Sequence, residues 1–144
     1  MKVDIKYLAG LIDGEGFFTI NYRKKKQSEK GMSHEFTPVV GVHMTATKLL
    51  HRIQKQYGGN IYERMGTNRI RADWSIRQAR NVHSFLEQII PHLIVKKKQA
   101  ILLKDFCERF EGLSGKEVYK LDEKEIKKRK SIKEELTKIN KEQS

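Results

Sequence analysis

A single cysteine, Cys107, rules out an internal disulfide and the small stapled folds that depend on one, and it suits a reducing, intracellular setting. No apolar run approaches the ~18 residues of a membrane span, and the opening Met1-Lys2-Val3-Asp4 lacks the apolar region of a signal peptide. His34, His43, His51, His83 and His92 show no metal-ligand spacing, so with one cysteine a zinc site lacks donors. No serine or threonine sits beside an acid–base pair, which leaves no visible nucleophilic triad. No stretch of the chain repeats. Negative charge is also scarce: 18 Asp and Glu face 30 Lys and Arg, a net charge of +12. Together with 38% hydrophobic residues in 144, that excess describes one folded, soluble domain, with or without a tail, and a polyanionic partner.

What is present alternates between two periods. Asp4 is placed to cap a helix running to about Ile12. In "FFTINYRKKK", Phe18, Ile20 and Tyr22 alternate with Thr19, Asn21 and Arg23, the period of a strand with one buried and one basic face. Residues 27–33 read as a turn, and Phe36 to His43 as the partner strand. Leu49, Leu50, Ile53 and Tyr57 recur at helical spacing until Gly58-Gly59. A second hairpin follows, Asn60 to Met65 and Arg69 to Ile76, with Ile70, Ala72, Trp74 and Ile76 inward. A helix through Val82, Phe85, Leu86 and Ile89 ends at Pro91, and a last core helix spans about Lys96 to Phe110. The order α-β-β-α-β-β-α reads as an α+β domain over residues 1–112, followed by a charged helical tail, 113–144, read as solvated. Cys107, beside Phe106, reads as a small buried hydrophobe, and Trp74 as core; the register of Tyr62 stays open.

Both hairpins present one apolar face and one face of Arg, Lys, Asn, Thr and Ser. A solvated sheet would do the same. The charge, however, is of one sign: residues 64–80 hold five Arg and one Asp, and 23–26 read Arg-Lys-Lys-Lys. Arg and Asn are the side chains that read guanine and adenine edges, and a β-ribbon fits the major groove. A strand of ~9 residues spans about 30 Å, close to ~9 base pairs. The outward registers nominate Asn21, Arg23, Lys25, His43, Arg64, Arg69, Arg71 and Asp73 as contacts to double-stranded DNA.

The stretch "YLAGLIDGEG" places two carboxylates, Asp13 and Glu15, at a helix C-terminus, the end that disfavours negative charge. Gly10 and Gly14, four apart, share a face with Tyr7 and Leu11, which permits close approach of another backbone. That backbone is either a strand of the same chain or a second copy of the helix. A second copy would bring two Glu15 carboxylates together near a two-fold axis, where they require protons or cations. Hard oxygen donors beside phosphates suit Mg²⁺.

Leu8 to Gly16, "LAGLIDGEG", resembles the signature of the LAGLIDADG homing endonucleases, with Gly14-Glu15 where many members have Ala-Asp. The order of elements through about Phe110 is similar to the family core, whose twisted antiparallel sheet forms a DNA-binding saddle. Single-motif members act as homodimers, so the resemblance implies a dimer through Tyr7, Gly10, Leu11 and Gly14. It further implies that Glu15 and the Gly14 carbonyl hold the metal, Mg²⁺ with Mn²⁺ able to substitute, and that Asp13 is a lesser ligand. "PHLIVKKKQA" resembles the family's Pro-x-Leu-x-x-Lys-x-x-Gln-Ala segment and places the active-site lysine at Lys96. The glutamine that often orients the nucleophilic water falls on Met44, which cannot serve. The implied function is cleavage of both strands of a long pseudo-palindromic site. The other function open to the same scaffold is a non-cleaving intron-RNA splicing factor or DNA-binding regulator.

Overall fold

Asp4 accepts a hydrogen bond from the Lys6 amide (2.8 Å) and so starts helix α1, Ile5–Glu15. The helix runs three residues past the expected Ile12 and passes without a loop into strand β1, Gly16–Gln27. Gly16 makes that junction possible. Its amide donates to the Ile12 carbonyl, and a Cβ there would lie 2.8 Å from Ile12 atoms. Strand β2, Gly31–Met44, returns antiparallel to β1, followed by α2, Thr47–Tyr57, and the hairpin β3, Asn60–Met65, with β4, Ile70–Arg77. Helix α3, Ala79–Ile89, leads through a 3-10 turn at Ile90–His92 to α4, Lys97–Glu108, and α5 spans Glu123–Glu142. The computed structural model describes residues 2–27, 31–110 and 121–142, with 25–27 and 31–33 by backbone alone. The expected boundary between core and tail, at 112 and 113, lies outside the described residues.

The sheet has the order β1-β2-β4-β3, all neighbours antiparallel. Helices pack on the face carrying Phe18, Ile20, Val40, Val42, Trp74 and Ile76, which are buried, as the alternation required. Ile70 shares that register but is 47% exposed, because the hairpin tip extends past the helical layer. The first hairpin is also longer than its apolar pattern. Gln27 and 31–33 are strand, although their polar composition reads as a turn, because backbone pairing needs no apolar side chain once the strands leave the core.

The tail corrects a larger expectation. Helix α5 packs along β1 and α4 instead of standing in solvent. Leu136 and Arg129 are fully buried and Ile139 nearly so, and Asn140 donates to the Phe18 carbonyl (2.9 Å). The Arg129 guanidinium lies 4.0 Å from the Phe110 ring centroid and bonds Glu125 (2.9 Å), which also takes two hydrogen bonds from Arg109. These partners pull the Glu125 carboxyl below its ordinary range, the Arg109 hydrogen bond first and the Arg129 bond with it, against the opposing effect of burial. The stripe Ile126, Arg129, Ile132, Leu136, Ile139 has helical spacing with a cation in its middle, which is why it reads as solvated. Cys107 is buried as expected, and burial pushes its thiol up to about 12.

Candidate active site

The helix end that looked electrostatically wrong is resolved by α4. Asp13 Oδ2 accepts from the Ile94 amide (2.8 Å), and Oδ1 from Val95 (3.1 Å) and Lys96 (2.9 Å). The carboxylate therefore holds the turn that leads into α4, near the helix's N-terminal end, where negative charge is favoured. In return Lys96, the residue preceding α4, donates its Nζ to the Gly16 carbonyl (2.6 Å), just past the C-terminal end of α1, where a cation is favoured. The bond brings Lys96 to Gly16, the residue after the last acid of the motif, from 80 residues away. Glu15 is the final residue of α1, not beyond it; it is exposed and makes no hydrogen bond or ion pair among the described residues.

Gly10 and Gly14 are exposed, and a Cβ built on either meets nothing within 4 Å. The close approach they permit is therefore not made to any strand among the described residues. Tyr7 beside them is 57% exposed, and Leu11 is half-buried. Sequence reasoning missed two apolar residues at the same end: Ile94, 86% exposed, and Val95, 54% exposed, held there by their amide bonds to Asp13. An apolar pair directly before Lys96 in a segment that follows a 3-10 turn was the available signal.

The open sheet face carries the expected polar residues. Asn21 and Arg23 are exposed opposite Thr37 and Glu35, and Arg69 and Arg71 are exposed at the second hairpin. The Lys25 side chain lies outside the described residues. Three of the nominated residues meet as a cluster that spacing alone could not show. His43 and Asp73 are register partners, His43 Nδ1 lies 2.5 Å from Asp73 Oδ1, and Arg64 pairs with Asp73 Oδ2 at 3.0 Å. Phe17 stacks on the His43 ring at 4.6 Å and 12°. Tyr62, left open by the sequence, shares the outward register with Asp73 and is 67% exposed. Met44 turns the other way and packs against the core. Among the described residues, no three His, Cys, Asp or Glu side chains group to hold a metal ion, and no helix is long and apolar enough to cross a membrane.

The fold thus joins a four-stranded sheet with one open polar face to a helix end where an exposed carboxylate, Glu15, precedes the residue whose carbonyl takes Lys96. The chain belongs to the LAGLIDADG endonuclease family, whose model matches residues 8–110. Solved structures share its fold. I-TnaI, a homing endonuclease, aligns over 100% of both chains at 17% identity and a TM-score of 0.73. The archaeal intron-encoded homing endonuclease I-Vdi141I, solved in complex with DNA, aligns over 94% of this chain and 82% of its own at 21% identity and a TM-score of 0.73. I-SmaMI, bound to an uncleaved DNA target with calcium ions, aligns over 95% of this chain but 46% of its own, at 19% identity and a TM-score of 0.72. Curated protein sequences give no match.

Proposed function

We propose that the protein is a site-specific double-strand DNA endonuclease that works as a homodimer with a divalent cation, Mg²⁺ or Mn²⁺ in its place. The observation that carries this reading is Glu15: an exposed carboxylate with no partner among the described residues, preceding the Gly16 whose carbonyl takes Lys96, at the end of a helix whose glycine face is open. Family membership supplies the reaction class. I-Vdi141I bound to DNA and I-SmaMI bound to its target with calcium support duplex DNA and a divalent ion as the partners.

Packing supports the dimer. Gly10 and Gly14 leave room for a backbone that none of the described residues supplies, and Tyr7, Ile94 and Val95 expose apolar surface at the same end. I-SmaMI offers the same arithmetic, since this chain spans less than half of it. With two copies, the Glu15 carboxylates meet and the basic sheet faces join into one longer saddle.

The donors fit a hard cation of low protein occupancy. Glu15 supplies one free carboxylate and the Gly14 carbonyl one further oxygen, whereas both Asp13 oxygens already accept backbone amides. Mg²⁺ retains waters and takes phosphate oxygens, so it does not need a cluster of side chains within one chain. When bound, such an ion lowers the pKa of a water and offsets charge on the reacting phosphate. The residues of the chain do the rest. Asp13 fixes the start of α4, Lys96 places positive charge beside the phosphate, and the exposed Asn and Arg of the sheet set register along the duplex. The test is selection of cleaved products from a random-sequence duplex pool with Mg²⁺. Recovery of one long, near-palindromic site supports the reading; an enriched bound sequence that is never cut contradicts it and favours a binding role.

A further inference from the structure

Resting on the endonuclease reading, we propose that His43 is a catalytic residue that takes the proton of the attacking water, held in place by Asp73, Arg64 and Phe17. Four observations converge on its ring. Asp73 Oδ1 engages Nδ1 at 2.5 Å, so the proton on that nitrogen points at the carboxylate and Nε2 is left as the acceptor. Arg64 holds the other Asp73 oxygen at 3.0 Å, which keeps the carboxylate aimed. Phe17 lies flat on the imidazole at 4.6 Å and fixes its plane. Gly41 makes that stacking possible, because a Cβ there would stand 2.8 Å from the Phe17 ring.

Register puts this assembly at the reacting end of the molecule. Gly16, whose carbonyl takes the Lys96 ammonium, pairs with Val42, the neighbour of His43 in β2, and Phe17, the residue after Gly16, stacks on the His43 ring. Asp73 and Arg64, on β4 and β3, flank it from the other side. The base-reading candidates Asn21 and Arg23 lie further out along β1. His43 is half exposed on the open face, so its Nε2 edge is available to water and phosphate. Asp73, by contrast, is occupied by His43 and Arg64, so it orients His43 and reads no base itself.

The step balances without further reactants. A water gives one proton to Nε2, its oxygen forms a bond to phosphorus, and the bond from phosphorus to the leaving sugar oxygen breaks. That oxygen takes a proton from solvent, and the imidazolium, stabilised by Asp73, returns its proton to solvent.

The experiment uses the full chain and the duplex selected from the random pool. Single-turnover cleavage at saturating protein in Mg²⁺ is measured beside binding in Ca²⁺, for wild type, His43→Ala and Asp73→Asn. His43→Ala should cut about a hundredfold slower or worse, with binding changed less than about threefold, and added imidazole should restore part of the rate. Asp73→Asn should fall by about tenfold or more, since the ring loses its preferred tautomer. A His43→Ala rate equal to wild type overturns the proposal. So does a loss that follows weakened binding or a changed base preference, which would make His43 a base reader. A loss that imidazole cannot restore also overturns it. Wild type leaving every duplex uncut would instead overturn the endonuclease reading, and this proposal with it.

Discussion

Removing the charge of Asp13 should unhook α4 from α1, and the structure sets the size of the effect. The carboxylate accepts three amides, at 2.8, 3.1 and 2.9 Å. Hydrogen bonds to a charged group contribute about 1.5–3 kcal/mol each, which would sum to more than 4 kcal/mol. That sum overstates the loss, because Ile94 and Val95 are exposed and water can replace the carboxylate at their amides. A helix cap lost to alanine costs about 0.5–2 kcal/mol, and the favourable charge at a helix N-terminus adds about 0.3–1 kcal/mol. Asp13→Ala should therefore destabilise by about 1–3 kcal/mol, and Asp13→Asn, which keeps one acceptor oxygen, by about 0.5–2 kcal/mol. For a chain of this size, 2 kcal/mol lowers Tm by about 4–8 °C. Urea unfolding followed by far-ultraviolet circular dichroism at pH 7 measures both. A change under about 0.5 kcal/mol in Asp13→Ala would refute the role of Asp13 in holding the lead-in to α4 and return it to consideration as an open metal ligand.

Gly10→Leu separates folding from assembly: a side chain there meets nothing within the chain, so the monomer should keep its stability or gain up to about 1 kcal/mol from helix propensity. The same change should overpack a second copy by about 1–3 kcal/mol, and sedimentation should show dissociation, whereas an unaffected dimer would place the interface elsewhere. The Glu125 pair predicts an acid limit to docking of α5. Because the folded carboxyl is held below its ordinary 4.5, its contribution is complete above that pH and is lost as pH falls through the lower folded value. Glu125→Gln should cost about 3 kcal/mol at neutral pH by stranding the buried Arg129, and the difference from wild type in urea unfolding should vanish on acidification; a pH-independent difference would contradict the pairing.

The alternation of Phe18, Ile20 and Tyr22, and of Ala72, Trp74 and Ile76, identified strands and their buried faces because each hairpin covers a core on one side only. The same logic failed where burial did not depend on apolar side chains. Gln27 and 31–33 continue a backbone ladder, and Arg129 lies fully buried between aromatic rings and Glu125. At the site, Glu15 and Lys96 were visible as motif positions, but the docking of Lys96 on the end of α1 depends on Asp13 bridging to 94–96, a contact between residues more than 80 apart. Likewise His43 and Asp73 were nominated separately for their faces, and only strand pairing joined them. Ile94 and Val95 read as ordinary apolar residues because exposure is a property of the fold, not of the residue type.

The most direct test of the account is nicking of the selected duplex by purified Glu15→Gln in Mg²⁺, beside wild type. The variant keeps an amide oxygen of the same reach but removes the charge that would hold the ion. Cleavage of both strands should collapse, while metal-free binding stays similar or tightens slightly because a carboxylate no longer faces phosphates. Cleavage near the wild-type rate would show that the reaction is carried by other residues and that the end of α1 is not the active site.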